Sequence, residues 1–163
     1  MAIHTLEPHL IESLQHSAKE ILETMVSMSP KTITAEPELS SCFDDEVIGT
    51  LGFTGTRSGT VVVRTRELTA RAVAAKMLMM EPSEMASFAD ASDAFGEVVN
   101  MLAGNFKNAW VAGGNQMELS VPNVIYRGTL KLCSDADGSL RSRVRVSLDA
   151  GDLDIGVHFD AKR

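Results

Sequence analysis

The stretch "VIGTLGFTGTRSGTVVV", residues 47–63, decides the fold class. Its flanks are rich in Val, Ile, Leu, Phe and Thr, which suit a pleated surface, and the central "GTRSG" has a glycine at each end. Two strands, over 46–54 and 59–65, joined by a tight reversal make a β-hairpin. The unbroken run Val61, Val62 and Val63 predicts a strand covered on both faces, since a strand wet on one side alternates apolar with polar residues.

Helical spacing begins directly after the hairpin. Leu68, Ala72, Val73, Ala75, Lys76 and Met79 predict a helix over 67–80, closed by Pro82. Its methionines suit core filling or an adaptable binding surface. Upstream, Leu10, Leu14, Ala18, Ile21, Leu22 and Met25 recur at three- and four-residue steps. They predict an amphipathic helix over 7–26, with Pro8 tolerated in its first turn. The intervening "SPKTITAEPELSSC" reads as a loop or a weak edge strand.

Downstream, "DASDAFGEVVNMLAGNFKNAW", residues 90–110, predicts another helix, and "GGN" ends it. "QMELSV" alternates up to Pro122, and residues 128–133, 139–148 and 152–159 read as strands joined by "DADG" and "DAG" turns. The acidic "DADG" lacks the remaining oxygen ligands of a calcium loop. The expected fold is α/β (α+β), one domain over 1–163: helix, hairpin, two helices, then an antiparallel meander. One sheet is packed by two or three long helices.

Composition excludes several functions. A hydrophobic fraction of 44% with 23% charged residues suits a chain that collapses into a core. A net charge of −7 without a Lys/Arg cluster argues against nucleic acid. Arg141, Arg143 and Arg145 alternate with Ser142, Val144 and Val146, as on the wet face of a strand. No stretch has the length and apolarity of a membrane span, and "MAIHTLEPHL" lacks a secretory pattern, so a cytoplasmic protein is expected. Cys42 and Cys133 are far apart with no CxxC, which suits reduced thiols. His9, Glu12 and His16 can share a helix face but lack a fourth ligand, so no metal site is expected.

The helix over 90–110 carries more than a core needs. Phe95, Val98, Val99, Leu102, Phe106, Ala109 and Trp110 form its broad apolar side. Asp93, Glu97 and Asn100 share a narrow polar stripe, because four- and seven-residue steps return to nearly the same direction. Gly104 lies one turn beyond Asn100, and Gly96 precedes Glu97. A glycine inside a helix costs about 1 kcal/mol relative to alanine. Either a partner approaches the backbone closely there, or the glycines accommodate neighbouring strands while the polar residues simply face water.

The spacing of Asp93, Glu97 and Asn100, in "DAFGEVVN" followed by "MLAGNFK", resembles the DxxxExxN signature of the CheC, CheX and FliY chemotaxis phosphatases. "VIGTLGFTGTRSGTVVV" is similar to that family's glycine-bearing hairpin, "ELTARAVAAKML" to its following helix, and "MELSVPNVI" to its proline-ended strand. The match runs in order over residues 10–125. "ESLQ" places Glu12 and Gln15 at the same spacing without that context. CheC and FliY resemble an internally duplicated domain with two signature helices; the single signature here resembles CheX, whose relatives form homodimers by joining sheets.

What the resemblance implies is hydrolysis of the aspartyl phosphate on a CheY-like response regulator. Asn100 is implied as the residue that orients water and Glu97 as a docking acid that pairs with a regulator lysine, both catalytic. Asp93, Gly96 and Gly104 are implied as partner-binding, Asp93 also as a helix-start residue. No cofactor of its own is implied; Mg2+ belongs to the regulator. Two other readings are a non-catalytic module that docks a regulator or motor-switch component, and a structural or small-ligand-binding α/β dimer with an incidental stripe.

Overall fold

A computed structural model of the protein describes residues 4–5, 8–37, 42–132 and 140–161. In chain order the elements are β1 (His4–Thr5), α1 (Pro8–Ile21), β2 (Thr32–Glu36), β3 (Cys42–Phe43), β4 (Val47–Gly55), β5 (Gly59–Thr65), α2 (Glu67–Met77), α3 (Phe88–Ala112), β6 (Met117–Leu119), β7 (Asn123–Tyr126), β8 (Leu130–Lys131), β9 (Leu140–Leu148) and β10 (Gly151–Phe159). The hairpin forms as its sequence predicts: β4 and β5 pair antiparallel from Val47↔Thr65 to Phe53↔Gly59.

β5 continues into β10 and β10 into β9, all antiparallel, so the sheet is centred on the hairpin and the last two strands. The outer edge of β9 is shared by β1, parallel, and β2, antiparallel. The outer edge of β4 is shared by β6 and β7. The helices cover one face. Leu14 and Ala18 of α1, Val73 and Ala74 of α2, and Phe95, Val99 and Phe106 of α3 pack there with Leu51, Val61, Val63 and Ile155. Val62 points the other way, into a smaller cluster with Phe43 and Ile48, so the triple-valine strand is buried on both faces.

Several expectations need correction. The C-terminal half is no simple meander: β8 leaves the main sheet to pair with β3, and β7, unrecognised in the sequence, pairs with β4. Loop-closing contacts far along the chain override the local reading. The weak strand in "SPKTITAEPELSSC" does form, as the edge strand β2. α1 ends in a wider π-type turn, Leu22–Val26, closed by Ser27 at φ 60°. α2 stops at Met77. The "DADG" turn and Cys133 lie outside the described residues.

The arginine stripe on β9 is not a wet face. Arg141 is buried, Arg143 reaches Asp154 at 3.2 Å and Glu36 at 3.6 Å, and Arg145 reaches Asp154 at 3.2 Å. On β5 of the same face Arg64 meets Asp45 at 3.3 Å. Strand alternation puts His158 on this side too, 1% exposed, its ring 5.7 Å from that of Phe43. Neither of its nitrogens has a hydrogen-bond partner among the described residues. Burial first, then the Arg141 and Arg64 charges, push its pKa down to about 4.

Among the described residues no helix is long and apolar enough to cross a membrane, and no group of His, Cys, Asp and Glu could hold a metal. His16 instead lies 3.2 Å from Glu20.

Candidate functional site

α3 carries the polar stripe, and its position is set at three points. At its start, Ser87 and Asp90 cap each other's backbone, with the Ser87 N–H donating to Asp90 Oδ2 at 3.3 Å. Asp90 is thus the carboxylate of the first turn; Asp93 lies beyond it and is not the helix-start residue expected. Phe88 stacks on Tyr126 with centroids 4.3 Å apart, and the Tyr126 hydroxyl donates to Glu67 Oε1 at 3.0 Å. Glu67 also receives Arg127 at 2.8 Å and Arg71 at 3.1 Å. Hydrogen bonds from Arg127 first, then Tyr126 and Arg71, hold its carboxyl below the usual range.

The middle of α3 sits against β4 at Gly49. A Cβ there would fall 2.5 Å from Val99 Cγ2 and 3.2 Å from Phe95 Cε1, so only a glycine lets helix and strand close to this distance. On the flank toward α1, Ser17 Oγ donates to Asn105 Oδ1 at 2.7 Å, and Asn105 Nδ2 donates to Glu20 Oε2 at 3.0 Å. Helix rotation is therefore fixed on both sides, and the Asp93, Glu97, Asn100 stripe points outward.

Asp93 and Glu97 are exposed, and Asn100 is half-buried beside them. None of the three side chains has a hydrogen-bond or ion-pair partner among the described residues. Two carboxylates one turn apart on a helix repel by a few tenths of a kcal/mol, and no cation among the described residues pairs with either. The glycines differ. Gly96 is buried, its Cβ direction facing Val124 at 3.5 Å and Pro122 at 3.9 Å, so it serves the β6–β7 connection and is withdrawn from any partner. Gly104 has nothing within 4 Å of its Cβ position.

Beside the Gly96 turn lies Val121, 74% exposed, which the sequence reading did not single out. Its only signal in the sequence is its place as the last apolar residue of the alternating "QMELSV" before Pro122. The decoy pair differs from the stripe, because Gln15 is spent on the Ile33 carbonyl of β2 at 3.4 Å. The principal cavities are lined by other residues and take in neither Glu97 nor Asn100. An exposed helix face outside these cavities, with an acid and an amide that have no partner among the described residues, suits a macromolecular partner better than a small ligand, which needs a concavity.

Fold and site together define an α+β protein that presents an acid and an amide one turn apart on a sheet-backed helix. The family model described as Chemotaxis phosphatase CheX matches residues 47–141, more than half of the chain and all of the stripe, and the protein belongs to that family. No curated protein matches the chain in sequence.

Solved structures share the fold. The chemotaxis protein CheX from Desulfovibrio desulfuricans superposes with a TM-score of 0.81 at 21% identity, covering 93% of this chain and 99% of that one. CheX of Borrelia burgdorferi, solved in a complex with CheY, BeF3 and Mg2+, gives 0.73 at 23% identity, with 93% and 97% covered. Thermotoga maritima FliY gives 0.58 at 14% identity, with 96% and 91% covered.

Proposed function

We propose that this protein removes the phosphoryl group from the aspartyl phosphate of a CheY-like response regulator, using Glu97 and Asn100. The observation that carries this reading is the outward-facing acid and amide on the α3 stripe, without partners among the described residues, in a chemotaxis phosphatase family member. An acyl phosphate is already activated, so hydrolysis needs placement more than chemistry. Water attacks phosphorus in line with the aspartyl oxygen, and the P–O bond to that oxygen breaks. The carboxylate leaves with the electron pair, and the protons of the water pass to phosphate and solvent.

Asn100 suits the water, since a carboxamide both accepts from and donates to it. Glu97 suits a lysine at the edge of the regulator's site, a charge-assisted contact that sets the register of Asn100. Asp93 adds a second acidic contact, and Gly104 lets the regulator approach the helix backbone. The chain needs no metal of its own in this scheme; the regulator carries Mg2+. The protein works in the cytoplasm as one domain that forms a homodimer through sheet edges. The β2 edge is the better candidate, because β6 and β7 flank the Gly96 turn beside the site.

The test is phosphate release from a phosphorylated regulator. Wild type accelerates it, while Asn100→Ala binds the regulator normally and loses about a hundredfold in rate, about 2.7 kcal/mol of transition-state stabilisation. Wild-type turnover by Asn100→Ala defeats the catalytic assignment. Binding without any acceleration makes the protein a docking module.

A further inference from the structure

Away from the stripe lies a groove of about 880 Å³. Its walls are the π-type turn after α1, the C-terminal half of α2, the short helical turn Pro82–Glu84 and the β9–β10 turn. No residue of α3 lines it. Met25, Met28, Met77, Met79 and Met80 supply much of its apolar surface.

Met79 is the residue that needs explaining. The Met79 N–H donates to the Lys76 carbonyl at 3.2 Å and the Met80 N–H to the Ala75 carbonyl at 2.8 Å, the two bonds of a Schellman closure of α2. Met79 fills the left-handed position of that closure, φ 56°, where glycine is the usual residue. It is also 95% exposed. The chain thus holds a large apolar side chain in water on a backbone conformation that disfavours any side chain. The closure's hydrogen bonds offset part of the backbone cost, but among the described residues no neighbour covers the side chain. Such backbone outliers concentrate at ligand clamps.

We propose that this groove docks a basic amphipathic helix of a partner protein. Methionine is flexible and polarisable, so a methionine-lined wall adapts to varied apolar anchors. The groove is framed by helix ends and turns, with no strand edge to extend, which favours a helix over an added strand. Charge sets the sign of the partner. Asp149 is paired with Lys31 at 3.6 Å, so the carboxylates left to set the sign are those of Glu81 and Glu84 against one lining cation, Lys76, and the C-terminal dipole of α2 adds negative potential. The same potential repels an anionic lipid surface.

The test uses the full chain with methyl-labelled methionine and a synthetic Leu/Lys amphipathic peptide of about 14 residues, roughly 20 Å of helix. Titration should shift the methyls of Met25, Met28, Met77, Met79 and Met80 to saturation, and a Leu/Glu peptide of the same pattern should leave them in place. Met79→Gly should raise the melting temperature by relieving the left-handed strain, yet weaken peptide binding about tenfold, as loss of an interface anchor does. Glu81→Gln with Glu84→Gln keeps the turn's capping amide oxygens and should weaken binding and its salt dependence.

Static methyls, equal binding of the Leu/Glu peptide, or undiminished binding by Met79→Gly overturns the proposal. Methyl shifts that follow protein concentration alone also overturn it and assign the face to a second copy of the chain. Phosphate release by Met79→Gly at the wild-type rate keeps this surface separate from the α3 site.

Discussion

Asn100 and Gly104 illustrate how two residues on one stripe make opposite demands. In the proposed scheme Asn100 contributes its carboxamide, while Gly104 contributes the absence of a side chain. A glycine in mid-helix costs about 1 kcal/mol, and because nothing lies within 4 Å of the Gly104 Cβ position, packing inside the chain does not require it. Gly104→Ala should therefore stabilise the free protein by about 1 kcal/mol in denaturant titration, while weakening association with a phosphorylated regulator. Unchanged association would remove Gly104 from the contact surface. Glu97→Ala should weaken both association and rate, in contrast to Asn100→Ala, because a docking charge acts before the transition state is reached.

α3 works as an element because β4 leaves room for it. Val99 is β-branched and stiff in a helix, so it cannot swing clear of a methyl group built on Gly49 at 2.5 Å. Gly49→Ala should cost on the order of 1–3 kcal/mol by overpacking and push the helix outward at the turn that bears Asn100. Thermal unfolding reads the first effect. Phosphate release at a temperature where the variant is fully folded reads the second, and unimpaired release there would show that the catalytic register tolerates the shift.

Across the whole molecule, the second face of the sheet combines an ion-pair lattice with a buried neutral histidine. With a pKa pushed from 6.5 to about 4 in the fold, His158 refuses a proton that the unfolded chain accepts. Its contribution is intact above pH 6.5 and is lost as pH falls toward 4, on the order of 3 kcal/mol over that window. His158→Phe keeps the ring against Phe43 and discards two nitrogens that have no partner among the described residues. It should flatten the acid side of the stability–pH curve relative to wild type, as followed by urea unfolding between pH 4 and 7. At the same scale, sedimentation should show a dimer at micromolar concentration, and charged substitutions on the exposed Thr32 and Thr34 of β2 should dissociate it; a monomer throughout would end the sheet-edge proposal.

Local structure in this chain is encoded by periodicity. The strand-favouring flanks and glycines of residues 47–63 suffice for the hairpin, and the 3.6-residue recurrence of Phe95, Val99, Leu102 and Phe106 for α3, so the outward stripe of Asp93, Glu97 and Asn100 follows by geometry alone. Periodicity carries no information about which distant segment covers a face. Only the tertiary structure sends β8 to β3 and seats β1 and β2 along one edge of β9. It also buries Arg141 in a strand that looked wet. Gly96 and Gly104 look alike in the sequence and differ because Pro122 and Val124 return over one and leave the other bare.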